Sequence, residues 1–247
     1  MNKISKLVTA LTLLSSSYGV SAEGNAFDVE NFSATLTFTT DYTFRGTTFS
    51  DGDPAIQGSF DWGSGPWFAG AWATSLIPQA ANGVGGTMEI DYYFGWADAF
   101  GGVDFMVMPL FYTFPGQNDA GRDDFTFELW TSAGYGFANA PGSPYVNFEF
   151  NWSPEYFENG DDSLYYRLSA AFTLPQGFGI DAGYGYTDIG DKNDFFADDY
   201  GHWDLGVTKS VLGFDFDLRY HDNADVDKIG KGFAIDSDFV FSVSRSF

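Results

Sequence analysis

Charged side chains at alternate positions of strand-like segments are the residues of this chain that could do chemistry. They lie opposite the apolar positions of each segment, and we predict that they line the interior of a barrel: Arg45, Glu89, Asp91, Glu128, Glu149, Arg167, Asp181, Asp204, Asp215, Asp217, Arg219, Asp236 and Asp238. Acids outnumber bases in this set, and a ring of carboxylates lowers the electrostatic energy of a cation. The pattern predicts a pore that favours cations or small neutral solutes.

Catalysis is the competing interpretation of the same residues. A hydrolase would need a nucleophile paired with a histidine and an orienting group. The chain has two histidines, His202 and His221, and neither lies in a recognisable nucleophile motif. Asp222 beside His221 is a weak match to the Asp and His of an omptin-like protease. We therefore predict no catalytic residues.

Metal and cofactor sites are equally weakly indicated. The chain has no cysteine, which excludes thiol chemistry and Cys-ligated zinc. Acidic links such as Asp188 to Asp199 could bind Ca²⁺ or Mg²⁺ through oxygen atoms, but none has the spacing of an EF-hand loop. The formal net charge of −23 disfavours a nucleic-acid partner. We predict no cofactor and no metal site.

Twelve segments carry the alternation that positions these side chains. Alternation with a period of two places one residue class on each face of a strand. The clearest segment has Met88, Tyr92 and Phe94 on one face and Glu89 and Asp91 on the other. The segments begin with Phe32 to Asp41 and continue at about 54–62, 67–76, 87–97, 103–114, 124–136, 144–152, 163–174, 177–187, 200–209, 212–221 and 235–247. The third and fifth are ambiguous, because apolar residues fall on both faces.

The links between these segments alternate between short and long. The short links are 63–66, 99–102, 138–143, 175–176 and 210–211; the long ones are 46–53, 77–86, 115–123, 153–162, 188–199 and 222–234. An up-and-down membrane barrel with short periplasmic turns and long outer loops produces this rhythm. A soluble sandwich would need Greek-key crossovers instead. We predict an all-β transmembrane antiparallel barrel of about twelve strands.

The two ends of the chain predict export to the outer membrane of a Gram-negative cell. Lys3 and Lys6 precede an apolar run that ends in Val20-Ser21-Ala22, so residues 1–22 are predicted to be a cleaved signal peptide and residues 23–247 the barrel. The chain stops on Phe247, the expected signal for the barrel-assembly machinery. Arg245 shares the outward face of Phe247 and is expected at the membrane interface, where its side chain can reach headgroups. Outer-membrane lipid and lipopolysaccharide are the expected neighbours.

Several blocks in order resemble the TorF family of porin-like proteobacterial proteins. They include Tyr42-Thr43-Phe44-Arg45-Gly46, Glu89-Ile90-Asp91-Tyr92-Tyr93-Phe94-Gly95, Ser153-Pro154-Glu155-Tyr156-Phe157 and the closing Phe241-Ser242-Val243-Ser244-Arg245-Ser246-Phe247. The resemblance spans nearly all of the chain after residue 22. It implies an outer-membrane location and a porin role, and it brings no catalytic residue or substrate with it.

Two interpretations of the interior stay open. Barrels of about eight strands hold only side chains, whereas barrels of sixteen to eighteen strands leave an aqueous channel, and twelve lies between. The first interpretation is a channel for passive diffusion of small hydrophilic solutes. The second is a closed barrel with a structural or surface-interaction role, in which the arginines neutralise neighbouring carboxylates.

Overall fold

Twelve antiparallel strands close into one barrel, and two further short strands form a hairpin. The structure is a computed structural model that describes residues 25–76, 86–116, 125–156, 161–190, 198–223, 225–229 and 237–247. The predicted signal peptide and Asp236 lie outside these ranges. The strands are β1 (Phe32–Thr39), β2 (Thr43–Phe44), β3 (Thr47–Thr48), β4 (Ala55–Ser64), β5 (Trp67–Ser75), β6 (Met88–Phe100), β7 (Val103–Thr113), β8 (Thr126–Gly136), β9 (Tyr145–Ser153), β10 (Ser163–Thr173), β11 (Phe178–Ile189), β12 (Tyr200–Val211), β13 (Phe214–Asn223) and β14 (Ser237–Ser246).

Each barrel strand pairs with its neighbours in the chain, and β1 closes the barrel by pairing with β14 as well as β4. The closing register places Leu36 opposite Arg245 and Phe38 opposite Val243. The predicted architecture and strand number are therefore confirmed. The helices within the described ranges are single 3-10 turns at Val29–Asn31, Pro175–Gly177 and Val226–Lys228. Across the described ranges, no helix is long and apolar enough to cross a membrane.

The exterior of the barrel is apolar and the interior holds the charges. On β6, Phe94 is 54% exposed, whereas Asp91 on the opposite face is 1% exposed. The same alternation leaves large apolar side chains such as Leu36, Leu168 and Leu205 facing outward. A water-soluble protein would show the reverse arrangement, so this exterior matches the outward-facing apolar band of a membrane barrel.

One predicted turn is wrong in position. Ser210 and Val211 were expected to form the link between two strands, but both belong to β12, and the turn is Leu212-Gly213. These residues have φ values of 54° and 81°, the left-handed values that a two-residue type I′ hairpin turn requires. Gly213 adopts this conformation readily, whereas Leu212 does so with strain.

The strain at Leu212 gives a stability prediction. We expect Leu212→Asn to raise the free energy of unfolding by about 1 kcal/mol, because asparagine tolerates the left-handed conformation and Asn-Gly is the favoured type I′ pair. Urea unfolding in detergent, followed by tryptophan fluorescence, measures the change. Leu212→Ala is the control and should bring no gain, since alanine carries the same penalty. A gain of equal size in the alanine variant would contradict the turn assignment.

The inward face of β5 to β8 carries a cluster of aromatic side chains beside its buried acids. Phe68, Trp72, Tyr93, Tyr112 and Trp130 are all buried and point into the barrel, and they are called the aromatic wall below. Met108 and Leu110 extend the same inward face along β7. This explains why β5 and β7 have apolar residues on both faces: one set faces outward and the other fills the interior.

Candidate pore and its inserted hairpin

The link between β1 and β4 folds into the barrel instead of lying outside it. Its base is held by the Asp41 carboxylate, which accepts hydrogen bonds from Ser50 Oγ at 2.5 Å, Thr48 Oγ1 at 2.7 Å and the Gly52 amide at 3.3 Å. Burial raises the pKa of the Asp41 carboxyl, and the hydrogen bonds from Ser50 and Thr48 oppose that rise. Residues Tyr42–Phe49, which contain β2 and β3, are called the inserted hairpin.

The tip of the inserted hairpin packs against the inner face of β12 and β13. Its two turn residues, Arg45 and Gly46, have φ values of 49° and 74°. A Cβ atom on Gly46 would lie 2.5 Å from His202 Cβ, so glycine is required by contact as well as by conformation. Asn223 Nδ2 donates to the Gly46 carbonyl at 3.0 Å. The hairpin thus bridges from β1 to β12 and β13.

Arg45 is held by a carboxylate and several aromatic rings. Its Nη1 and Nη2 atoms donate to Glu128 Oε1 and Oε2 at 2.8 and 2.9 Å. Its guanidinium carbon lies 4.0 Å from the Tyr165 ring centroid and 4.7 Å from that of Phe44. Glu128 is fully buried and also accepts a hydrogen bond from the Tyr112 hydroxyl at 2.8 Å. Arg45 therefore lies in the interior as expected, but on the inserted hairpin and not on a barrel strand.

A network of arginines and aspartates covers the wall opposite the aromatic residues. Arg219 Nη1 contacts Asp181 Oδ1 at 2.7 Å and Asp204 Oδ1 at 2.5 Å, and its Nη2 contacts Asp217 Oδ2 at 2.9 Å. Arg167 Nη1 contacts the other oxygen of Asp204 at 2.6 Å. These five residues on β10 to β13 are called the charged wall.

A cavity of about 800 Å³ lies between the two walls. Ser33, Thr35 and Ser246, near the end of the barrel with the short turns, line its outer part. At the other end it reaches the inserted hairpin, where its lining residues Tyr42 and Arg45 are buried. The cavity is thus entered from the short-turn end, which would face the periplasm in the predicted orientation.

Most of the charged residues predicted from alternation lie in or beside this cavity. Those that line it are Arg45, Asp91, Glu149, Arg167, Asp204, Asp215, Asp217 and Arg219. Glu89, Glu128 and Asp181 are buried inside the barrel. Asp238 is exposed on β14 and pairs in register with His221, and Asp236 lies outside the described residues. Whether these residues line a conducting pore stays a prediction.

The sequence interpretation missed the inserted hairpin and the aromatic wall. A signal for the hairpin was present, because the rings of Tyr42 and Phe44 come just before the link 46–53, and the ring of Phe49 lies within this link, which was expected to be polar. The Arg45-Gly46 pair between two threonine-containing dipeptides also has the form of a tight turn. On β6, alternation placed Tyr93 on the face of Glu89 and Asp91, but no signal on β5 or β7 distinguished inward rings from outward ones.

The weak Asp-His match is wrong in geometry. His221 points inward, with its Nε2 atom 3.3 Å from Thr43 Oγ1 of the inserted hairpin. Asp222 instead accepts a hydrogen bond from the hydroxyl of Tyr220, two residues before it on the same face of β13, at 3.2 Å. Successive residues of a strand point to opposite faces, so the two side chains cannot act together.

Comparisons with known proteins identify a family and a similar barrel fold. A family model described as a bacterial protein of unknown function (Gcw_chp) matches residues 23–247. The structure is similar to that of the NanC porin, with a TM-score of 0.54 and 6% identity over 87% of this chain and 98% of that one. An outer-membrane channel (COG4313) from Pseudomonas putida F1 gives a TM-score of 0.48 and 11% identity over 87% and 95%. No curated protein matches the sequence, and the TorF resemblance stays a prediction.

Proposed function

This chain belongs to the Gcw_chp family of bacterial proteins of unknown function, and we propose that it is a porin-like channel of the outer membrane. It would allow passive diffusion of small hydrophilic solutes, with a preference for cations. The proposal combines three features of the barrel: its apolar exterior, its cavity, and the excess of carboxylates inside it.

The exterior supports the membrane location. Exposed rings such as Phe60, Phe94 and Phe239 would be unfavourable in water but favourable against acyl chains. Arg245 lies near the short-turn end with its guanidinium carbon 5.1 Å from the Phe214 ring centroid and 5.3 Å from that of Phe247. This is a suitable contact for a cation at the headgroup level. Export by a signal peptide, recognition of Phe247 by the assembly machinery and contact with lipopolysaccharide are parts of the same proposal.

The charge inside the barrel carries the selectivity proposal. Within the described residues, seven carboxylates are buried, against the three guanidinium groups of Arg45, Arg167 and Arg219. The buried carboxylates are Asp41, Glu89, Asp91, Glu128, Glu149, Asp181 and Asp204. Field lines are focused in a narrow interior with low-dielectric walls, so this excess attracts cations and repels anions.

Single-channel recording in a planar bilayer with asymmetric KCl tests this proposal. We expect a reversal potential of the sign that indicates cation preference. In Asp217→Asn the preference should fall, because the Asp217 side chain is partly exposed to the cavity while Arg219 keeps its contacts to Asp181 and Asp204. Asp98→Asn is the matched control, since Asp98 lies on the exposed end of β6 and does not line the cavity.

Two results of this recording would contradict the proposal. An anion-preferring reversal potential would show that the excess of carboxylates does not control permeation. The absence of conductance above that of bare lipid would favour the second candidate, a closed barrel with a structural or surface-interaction role. The inserted hairpin favours that second candidate, because its rings fill part of the interior beside Tyr112 and Trp130.

A further inference from the structure

Asp91 is a buried carboxylate without a counter-charge. It is 1% exposed and lines the cavity, and its carboxylate oxygens accept no hydrogen bond from an N–H or hydroxyl donor of the described residues; their polar neighbour is the Glu89 carboxyl group. Glu89 precedes it by two residues on the same inward face, and one oxygen of Glu89 is also unpartnered. Two neighbouring buried carboxylates are unfavourable unless a cation or a proton accompanies them.

Aromatic rings surround this carboxylate on both sides. In the strand register, Asp91 lies opposite Trp72 on β5 and opposite Tyr112 on β7. Directly opposed residues have Cβ atoms about 4.5–5.5 Å apart, so both rings lie beside the carboxylate. The Tyr42 ring of the inserted hairpin lies 5.5 Å from Trp72, and its hydroxyl is hydrogen-bonded to Glu89. The faces of such rings attract a cation.

The same barrel already contains one cation in a site of this composition. Arg45 is bound by the carboxylate of Glu128 and lies over the rings of Tyr165 and Phe44. The Arg45 guanidinium group makes two hydrogen bonds to Glu128, so it neutralises that carboxylate and not Asp91. Asp91 has the matching carboxylate and rings but no side-chain cation of its own.

The chemistry of the walls indicates which cation would bind. Hard metal ions require several oxygen ligands, and the described residues hold no group of three or more acidic, histidine or cysteine side chains suited to a metal. An organic ammonium ion fits both the carboxylates and the aromatic rings, because its charge pairs with the carboxylates and its alkyl groups contact the rings.

We propose that Glu89 and Asp91, with the rings of Tyr42, Trp72 and Tyr112, form a binding subsite for an organic ammonium ion. The subsite deepens the proposed function, because solutes would reach it through the same cavity. Binding itself does not require conduction, so the two proposals can fail separately.

Isothermal titration calorimetry on the full-length mature protein in detergent micelles tests the subsite. The probe is choline chloride, and its comparison is the uncharged isostere in which a carbon atom replaces the nitrogen. We expect choline to bind and the isostere to bind much more weakly. Asp91→Asn should weaken choline binding by about tenfold or more, whereas Asp98→Asn on the same strand should leave it unchanged. Heat-modifiable gel mobility confirms that each variant is folded.

Several outcomes would overturn the ammonium subsite. Equal binding of choline and its isostere would show that the site is only an apolar pocket. The absence of choline binding would indicate that Glu89 and Asp91 share a proton and bind no organic cation. Competition by KCl at concentrations equal to those of choline would assign the site to inorganic cations. If Asp91→Asn does not fold, Glu89→Gln replaces it, with the same expected loss. Choline binding by a barrel that shows no conductance would retain the subsite and reject the channel.

Discussion

Replacing residues 43–48 with two glycines will raise the single-channel conductance severalfold. The Phe49 amide donates to the Tyr42 carbonyl at 2.8 Å, so the backbone at this point already has the spacing that a two-residue turn can join. The replacement removes Phe44, which lies 6.1 Å from the Tyr112 ring and 6.5 Å from that of Trp130, and it removes Arg45. The space that these side chains fill would become water.

The same replacement should strengthen the preference for cations. Among the residues that the structure describes, Arg45 is one of three buried guanidinium groups, and its partner Glu128 stays on β8 when the hairpin is shortened. The control is Phe44→Leu, which keeps the hairpin at full length and should conduct like the parent protein. Planar-bilayer recording measures both quantities. Unchanged conductance in a correctly folded shortened variant would show that the narrowest part of the path does not lie at the hairpin.

The barrel strands could be predicted from the sequence because one physical rule dominates them. Every second residue of a barrel strand contacts lipid and must be apolar, whereas the residues between them face the interior and can be polar. The alternation on β6 therefore predicts both the strand and which of its faces points inward. Glu89 and Asp91 were assigned to the interior by this rule alone, and both are buried there. The rule does not set the ends of strands, which is why the turn before β13 was placed two residues too early.

The contents of the interior could not be predicted in the same way. Alternation identifies the inward face but does not say whether that face contacts water or other side chains. Trp72, Tyr93 and Tyr112 are inward because they pack against each other and against the inserted hairpin, which is a contact between distant parts of the chain. Arg45 was assigned to the barrel interior by strand alternation, and it does lie there, but on the turn of the inserted hairpin and not on a strand.

Loss of Arg45 will destabilise the protein more than loss of its partner. In Arg45→Met, the Glu128 carboxylate stays fully buried and keeps only neutral donors such as the Tyr112 hydroxyl. An uncompensated buried charge costs about 3–5 kcal/mol. In Glu128→Gln, the guanidinium group keeps the rings of Tyr165 and Phe44, so we expect a smaller loss of about 1–3 kcal/mol.

The double variant Arg45→Met with Glu128→Gln separates charge from packing. Both buried charges are then absent, so the free energy of unfolding should be higher than in Arg45→Met alone. Urea unfolding in detergent gives the three free energies. Chymotrypsin cleavage at Tyr42, Phe44 and Phe49 reports whether the inserted hairpin has left the interior, and cleavage should be fastest in Arg45→Met. If all three variants lie within about 0.5 kcal/mol of the parent protein, the Arg45–Glu128 pair does not hold the hairpin in place.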